Sequence, residues 1–157
     1  MKSTNTIAGN YTELADQLRA LLEGERDPIA NCANFAALLF NSLPDLNWAG
    51  FYFHKDGELV LGPFQGQPAC VRIAIGKGVC GTAADRRETV IVPNVHEFPE
   101  HIACDSASNS ELVTPIIVKG RLFGVLDLDS PRYGRFNEDD AVGLHTLVEI
   151  FKEATDL

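Results

Sequence analysis

The residues of this 157-residue chain best placed to do chemistry are its cysteines and a late group of carboxylates. Cys70, Cys80 and Cys104 form no C-x-x-C pair, so neither a zinc knuckle nor a thioredoxin-type dithiol is present. A zinc site built from these three with His96 or His101 is conceivable by residue type, but the spacing does not suggest one. Residue types alone allow either scattered structural thiols or a redox group. Gly76, Gly78 and Gly81 surround Cys80 and permit a sharp turn and close backbone approach. Cys80 also falls in the first turn of a predicted helix, where the positive end of the dipole favours a thiolate. Cys104 lies in a loop, from which a thiol can reach both a substrate and a second thiol.

Asp127 and Asp129 stand two apart on a predicted strand and so project from one face. By the same parity Phe123 and Val125 share that face, while Leu126 and Leu128 point the other way. A solvated sheet end is one reading of this pair. Glu111 opens the strand expected to pair with it, seven residues after Cys104, so three carboxylates can converge near one thiol. Such a cluster binds an ammonium group, and mutual repulsion keeps one carboxyl protonated as a general acid. Trp48 shares a strand face with Gly50 and Tyr52. It is either a core anchor or a pocket wall for a thioether-like methyl group.

These residues need elements to hold them. Leu14, Leu18, Leu21 and Leu22 recur at helical spacing, with Gly24 as a stop. Asp27-Pro28 caps a second helix whose one face carries Ile29, Cys32, Ala36 and Leu39, which makes Cys32 a core residue. Strands are expected at 47–53, 58–62, 69–75 and 90–92, with a short helix at 79–86. The stretch 94–110 is polar and aperiodic, and a loop of that length in a compact domain is usually functional. A hairpin (112–118 and 122–128) and a helix from Asn137 to Lys152 complete the chain. The order implies an α+β domain with a mostly antiparallel sheet and helices packed against it.

A hydrophobic content of 45% and this length suit one globular domain spanning 1–157. A net charge of -9 argues against nucleic acid or an anionic membrane as partner. No apolar run reaches the roughly 18 residues of a spanning helix. The first residues lack the apolar stretch of a secretory signal. A cytoplasmic protein is the expectation.

The run from Gly62 to Ile73, continuing through Gly76-Lys77-Gly78-Val79-Cys80-Gly81-Thr82-Ala83, resembles the free methionine-(R)-sulfoxide reductases. So do His101 to Glu111, Gly124 to Ser130 and Asn47 to Tyr52. The resemblance covers the chain from about Tyr11 to its end and implies a GAF-like fold. It further implies that Cys104 is the nucleophile, Cys70 the main resolving thiol and Cys80 a third member of the exchange. Glu111, Asp127 and Asp129 then correspond to the acidic substrate cluster, and Trp48 to the wall at the methyl-sulfinyl end. A thioredoxin-like protein is the implied reductant and a homodimer the implied assembly. No metal, flavin or nucleotide is called for. The competing expectations are a non-enzymatic GAF-type module that binds a small molecule and a thiol-based oxidant sensor.

Overall fold

Alternation along the first strand sorts the molecule into two sides. In β1 (Trp48–Lys55), Ala49, Phe51 and Phe53 enter one apolar cluster, while Trp48 and Tyr52 enter another. This is the period of two that a strand imposes. The computed structural model describes residues 7–101 and 106–157. Its sheet also contains β2 (Glu58–Gly66), β3 (Arg72–Ala74), β4 (Val90–Val92), β5 (Ser110–Val118) and β6 (Arg121–Ser130), in the order β3-β2-β1-β6-β5-β4. Every pairing is antiparallel.

Three helices cover one face: α1 (Ile7–Leu22), α2 (Pro28–Ser42) and α4 (Glu138–Ala154). Asp27 caps α2 by accepting the Ala30 N–H at 2.9 Å, with Pro28 at the first helical position, as the sequence predicts. Asn137 and Asp140 cap α4 reciprocally, which satisfies two backbone donors at its start. The aromatic centre of this side is Phe35, Phe51 and Phe151, with ring centroids 5.6 Å apart. Among the described residues, the other face carries α3 (Gly78–Arg86), the short 3-10 turn Val95–Glu97 and, beside α3, a cavity. Among the described residues no helix is long and apolar enough to cross a membrane.

Several expectations are corrected. Leu14, Leu18 and Leu22 are buried with Tyr11 and Ala15, but Leu21 falls at the edge of this stripe and is exposed. Cys32, Ala36 and Leu39 are fully buried, whereas Ile29, in the first turn of α2, is exposed. Phe123 does not share a face with Asp127. In the β5–β6 ladder Ile116 faces Gly124 and Ile117 faces Leu122. Phe123 is therefore the extra residue of a bulge, and its ring packs on Phe53 on the three-helix side. Downstream of the bulge the expected parity holds: Val125 joins the α3-side cluster, and Leu126 and Leu128 the other.

Candidate active site

β-Pairing sets three side chains in a row. Trp48 on β1 faces Asp129 on β6, and Asp129 faces Glu111 on β5. One step along, Gly50 faces Asp127. A Cβ at Gly50 would stand 2.3 Å from the Phe64 Cβ and 2.8 Å from the Trp48 Cη2. Glycine here thus lets Phe64 and Trp48 stack, with centroids 5.1 Å apart and planes inclined by 15°. Trp48, Glu111, Asp127, Asp129, Cys80 and His101 all line the cavity beside α3. The structure therefore brings together each described site residue that the sequence proposed except Cys70, which lies next to lining residue Ala69.

The carboxyl groups are buried, at 6% exposure for Glu111 and Asp127 and 8% for Asp129. Burial first, then the neighbouring Asp127, pushes the Glu111 carboxyl well above the usual range. Asp127 is likewise raised, by burial and then by Asp129. Both shifts favour the protonated forms, because several negative charges are poorly held together away from water. His101 Nε2 lies 3.9 Å from Glu111 Oε1, too far for a hydrogen bond. Burial lowers the imidazole pKa and raises that of the Glu111 carboxyl, so both shifts work against an ion pair.

Cys80 does not have the thiolate character expected from its place in the first turn of α3. Its thiol is buried, 3.9 Å from Glu111 Oε2. Burial, with Asp127 next, raises its pKa well above the ordinary thiol value. Desolvation and three nearby carboxyls outweigh the helix dipole, whose effect amounts to about 0.3–1 kcal/mol. Cys70 sits before β3 rather than on a strand. Trp48 Nε1–H donates to the Gln67 carbonyl at 3.1 Å, and the Tyr52 hydroxyl donates to the Cys70 carbonyl at 2.8 Å. Side chains thus satisfy carbonyls that a ladder would otherwise use, and Pro68 has no N–H to offer. Cys70 is held in a disulfide, whereas Cys32 and Cys80 are free. Cys104 lies outside the described residues.

Sequence reasoning did not assign a role to Tyr52, which fixes the Cys70 backbone from the same strand face as Trp48. Its parity with Trp48 is the signal that points to it. His101 was weighed only as a zinc ligand, and the buried Ser108 was not singled out; both line the cavity. Lys77 lines it too, while its Nζ pairs with exposed Glu100 at 2.9 Å.

The GAF domain model matches residues 11–154. The free methionine-R-sulfoxide reductase of Escherichia coli K12 is 53% identical over 138 residues, covering 88% of this chain and 84% of that one. A crystal structure of a putative GAF sensor protein from Burkholderia vietnamiensis is 56% identical, covers 96% of both chains and superposes with a TM-score of 0.93. The free methionine-R-sulfoxide reductase from Neisseria meningitidis, solved in complex with its substrate, is 42% identical. It superposes with a TM-score of 0.92 over 98% of this chain and 93% of that one. On these matches, the chain belongs to the free methionine-R-sulfoxide reductases, a family built on the GAF domain.

Proposed function

We propose that the protein reduces free L-methionine (R)-S-oxide to L-methionine, with Cys104 as the attacking thiol and Cys70 as the thiol that resolves it. The observation that carries this reading is the buried group of Glu111, Asp127 and Asp129, which shares one cavity with Trp48 and in which burial raises the carboxyl pKa of Glu111 and Asp127. A sulfoxide sulfur becomes electrophilic once its oxygen is protonated or strongly hydrogen-bonded. A carboxyl held neutral at physiological pH is the donor for that step. The Cys104 thiol then takes the oxygen, leaving methionine and a sulfenic acid. The Cys70 thiol condenses with the sulfenic acid to give a disulfide and water, and an external dithiol protein of the thioredoxin type reduces that disulfide.

The disulfide at Cys70 supports its part in the exchange, while Cys32 and Cys80 are free. Cys80 is the third member of the exchange. The cluster also accounts for selection of the free amino acid, because an ionised member pairs with the α-ammonium that a peptide-bound residue lacks. Trp48 receives the methyl-sulfinyl end. The chain acts in the cytoplasm as one domain over 1–157 and assembles as a homodimer.

The test incubates the protein with separated methionine sulfoxide epimers and a dithiol reductant, and measures methionine. Turnover of the free R epimer is expected. Its absence refutes the enzyme reading in favour of a sensor. Cys104→Ser abolishes even the first, reductant-free turnover. Cys70→Ser keeps that turnover and fails with thioredoxin; if cycling with thioredoxin persists, Cys80 is the resolving thiol instead.

A further inference from the structure

We propose that Cys80, Glu111 and Asp127 form a site for a divalent cation of the zinc class, whose occupancy shuts the reductase off; this last consequence rests on the function proposed above. One donor atom from each residue, a thiol sulfur and two carboxylate oxygens, lies within 4.8 Å of the others, and all three residues are buried. A second observation is independent of that clustering. Asp127 Oδ1 is buried with no hydrogen-bond partner among the described residues, in a residue that lines the cavity. An unpartnered buried oxygen is costly, and a cation entering from the cavity would supply its partner. Lys77, which also lines the cavity, does not do so: its Nζ pairs with Glu100 near the surface.

The donor set selects the metal. Zinc takes sulfur at about 2.3 Å and carboxylate oxygen at about 2.0–2.2 Å, which sets tetrahedral donors roughly 3.5 Å apart. The Cys80–Glu111 separation of 3.9 Å is close to this. Calcium and magnesium need six or more ligands, mainly oxygen, and fit a thiol poorly. Three protein donors leave the fourth zinc position facing the cavity. Binding breaks the S–H bond of Cys80 and any carboxyl O–H bonds, forms metal–sulfur and metal–oxygen bonds, and releases the protons to solvent. No oxidation state changes. Metal and sulfoxide both require Glu111 and Asp127, so they exclude one another.

The experiment titrates Co2+ into protein whose Cys70 disulfide is intact. One equivalent should bind, with a thiolate-to-cobalt charge-transfer band in the near ultraviolet. Cys80→Ser should remove that band and Cys32→Ser should keep it. Asp127→Asn, nearly isosteric, should weaken Zn2+ by more than about 10-fold in competition with a chromophoric chelator, since loss of even an outer-shell partner costs that much. Absence of the band, its survival in Cys80→Ser, or an unchanged Zn2+ affinity in Asp127→Asn overturns the proposal. If Cys80→Ser does not fold, Cys32→Ser and Asp127→Asn decide it. The oxidised protein does not turn over, so the two ideas separate. Co2+ binding without reduction of the R epimer sinks the reductase reading alone, and reduction without Co2+ binding sinks the metal site alone.

Discussion

Glu111 and Asp129 are direct cross-strand partners in the β5–β6 ladder. Carboxyl groups directly opposite one another repel when ionised and destabilise a sheet. Both sit on a buried face, where that repulsion is least screened. The arrangement makes sense for chemistry rather than for stability, and it has measurable consequences.

The first concerns pH. Glu111 and Asp127 hold protons more tightly in the folded chain than in the unfolded one. A carboxyl of the unfolded chain releases its proton near pH 4, at about its ordinary value. Below that pH the stabilising contribution of the raised groups is fully present. It is lost as pH rises towards and through the folded values. Asp127→Asn removes one such group. Its melting temperature should match wild type at or below about pH 4 and exceed it by several degrees at pH 8, at about 2–4 °C per kcal/mol for a chain of this size. Thermal scans across that range check the sign; a gap that shrinks with rising pH would contradict it.

The second separates the two faces. Leu128 is fully buried on the three-helix side, between the acidic neighbours Asp127 and Asp129. Leu128→Ala should cost about 2–5 kcal/mol in urea unfolding, with little change in kcat for the folded fraction. Asp129→Asn should do the reverse, with a large loss of turnover and a small change in stability.

Gly50 is the third. Its absent side chain is what lets Phe64 lie against Trp48. Gly50→Ala should destabilise by about 1–3 kcal/mol through overpacking and should raise KM for the sulfoxide by displacing the tryptophan wall. Tryptophan fluorescence of the folded variant should shift; an unchanged spectrum and KM would show that Trp48 does not depend on this contact.

Cys32 supplies the fourth. Its side chain is fully buried among the helices, and burial pushes its thiol up to about 12. Thiolate is the reactive form, so Cys32 should resist alkylation of the native protein at pH 8 and label only on unfolding. Cys32→Ala should cycle with thioredoxin at the wild-type rate. Mass spectrometry of labelled peptides reads the first outcome and a coupled assay the second.

Local periodicity accounts for much of what could be read in advance. Two-residue alternation placed Trp48 with Tyr52 and Asp127 with Asp129, and the Asp27-Pro28 cap marked the start of α2 at its true position. Phe123 escaped this reasoning because a bulge depends on the partner strand, which alternation within one strand does not see. Cys80 escaped it for a different reason. Its helix dipole is local, but the burial and carboxyls that dominate its thiol arrive from β5 and β6, far along the chain. Tyr52 was legible as a buried aromatic and not as the anchor of Cys70, because that bond crosses between segments with no sequence periodicity in common. The convergence of Glu111 with the aspartates was anticipated only because the intervening hairpin is short.

The extra residue at Phe123 works as a phase shift in β6. Upstream of it, one parity points to the helices; downstream, the opposite parity does. Deleting Phe123 would remove the bulge and bring Leu122 and Gly124 into succession opposite Ile117 and Ile116. If the hairpin turn held the register, Asp127 and Asp129 would keep Val113 and Glu111 as partners, and the ring contact of Phe123 with Phe53 would be lost. This single-residue deletion is therefore expected to leave the oily and acidic sides of β6 in place and to cost stability at the strand's start rather than the acidic group itself.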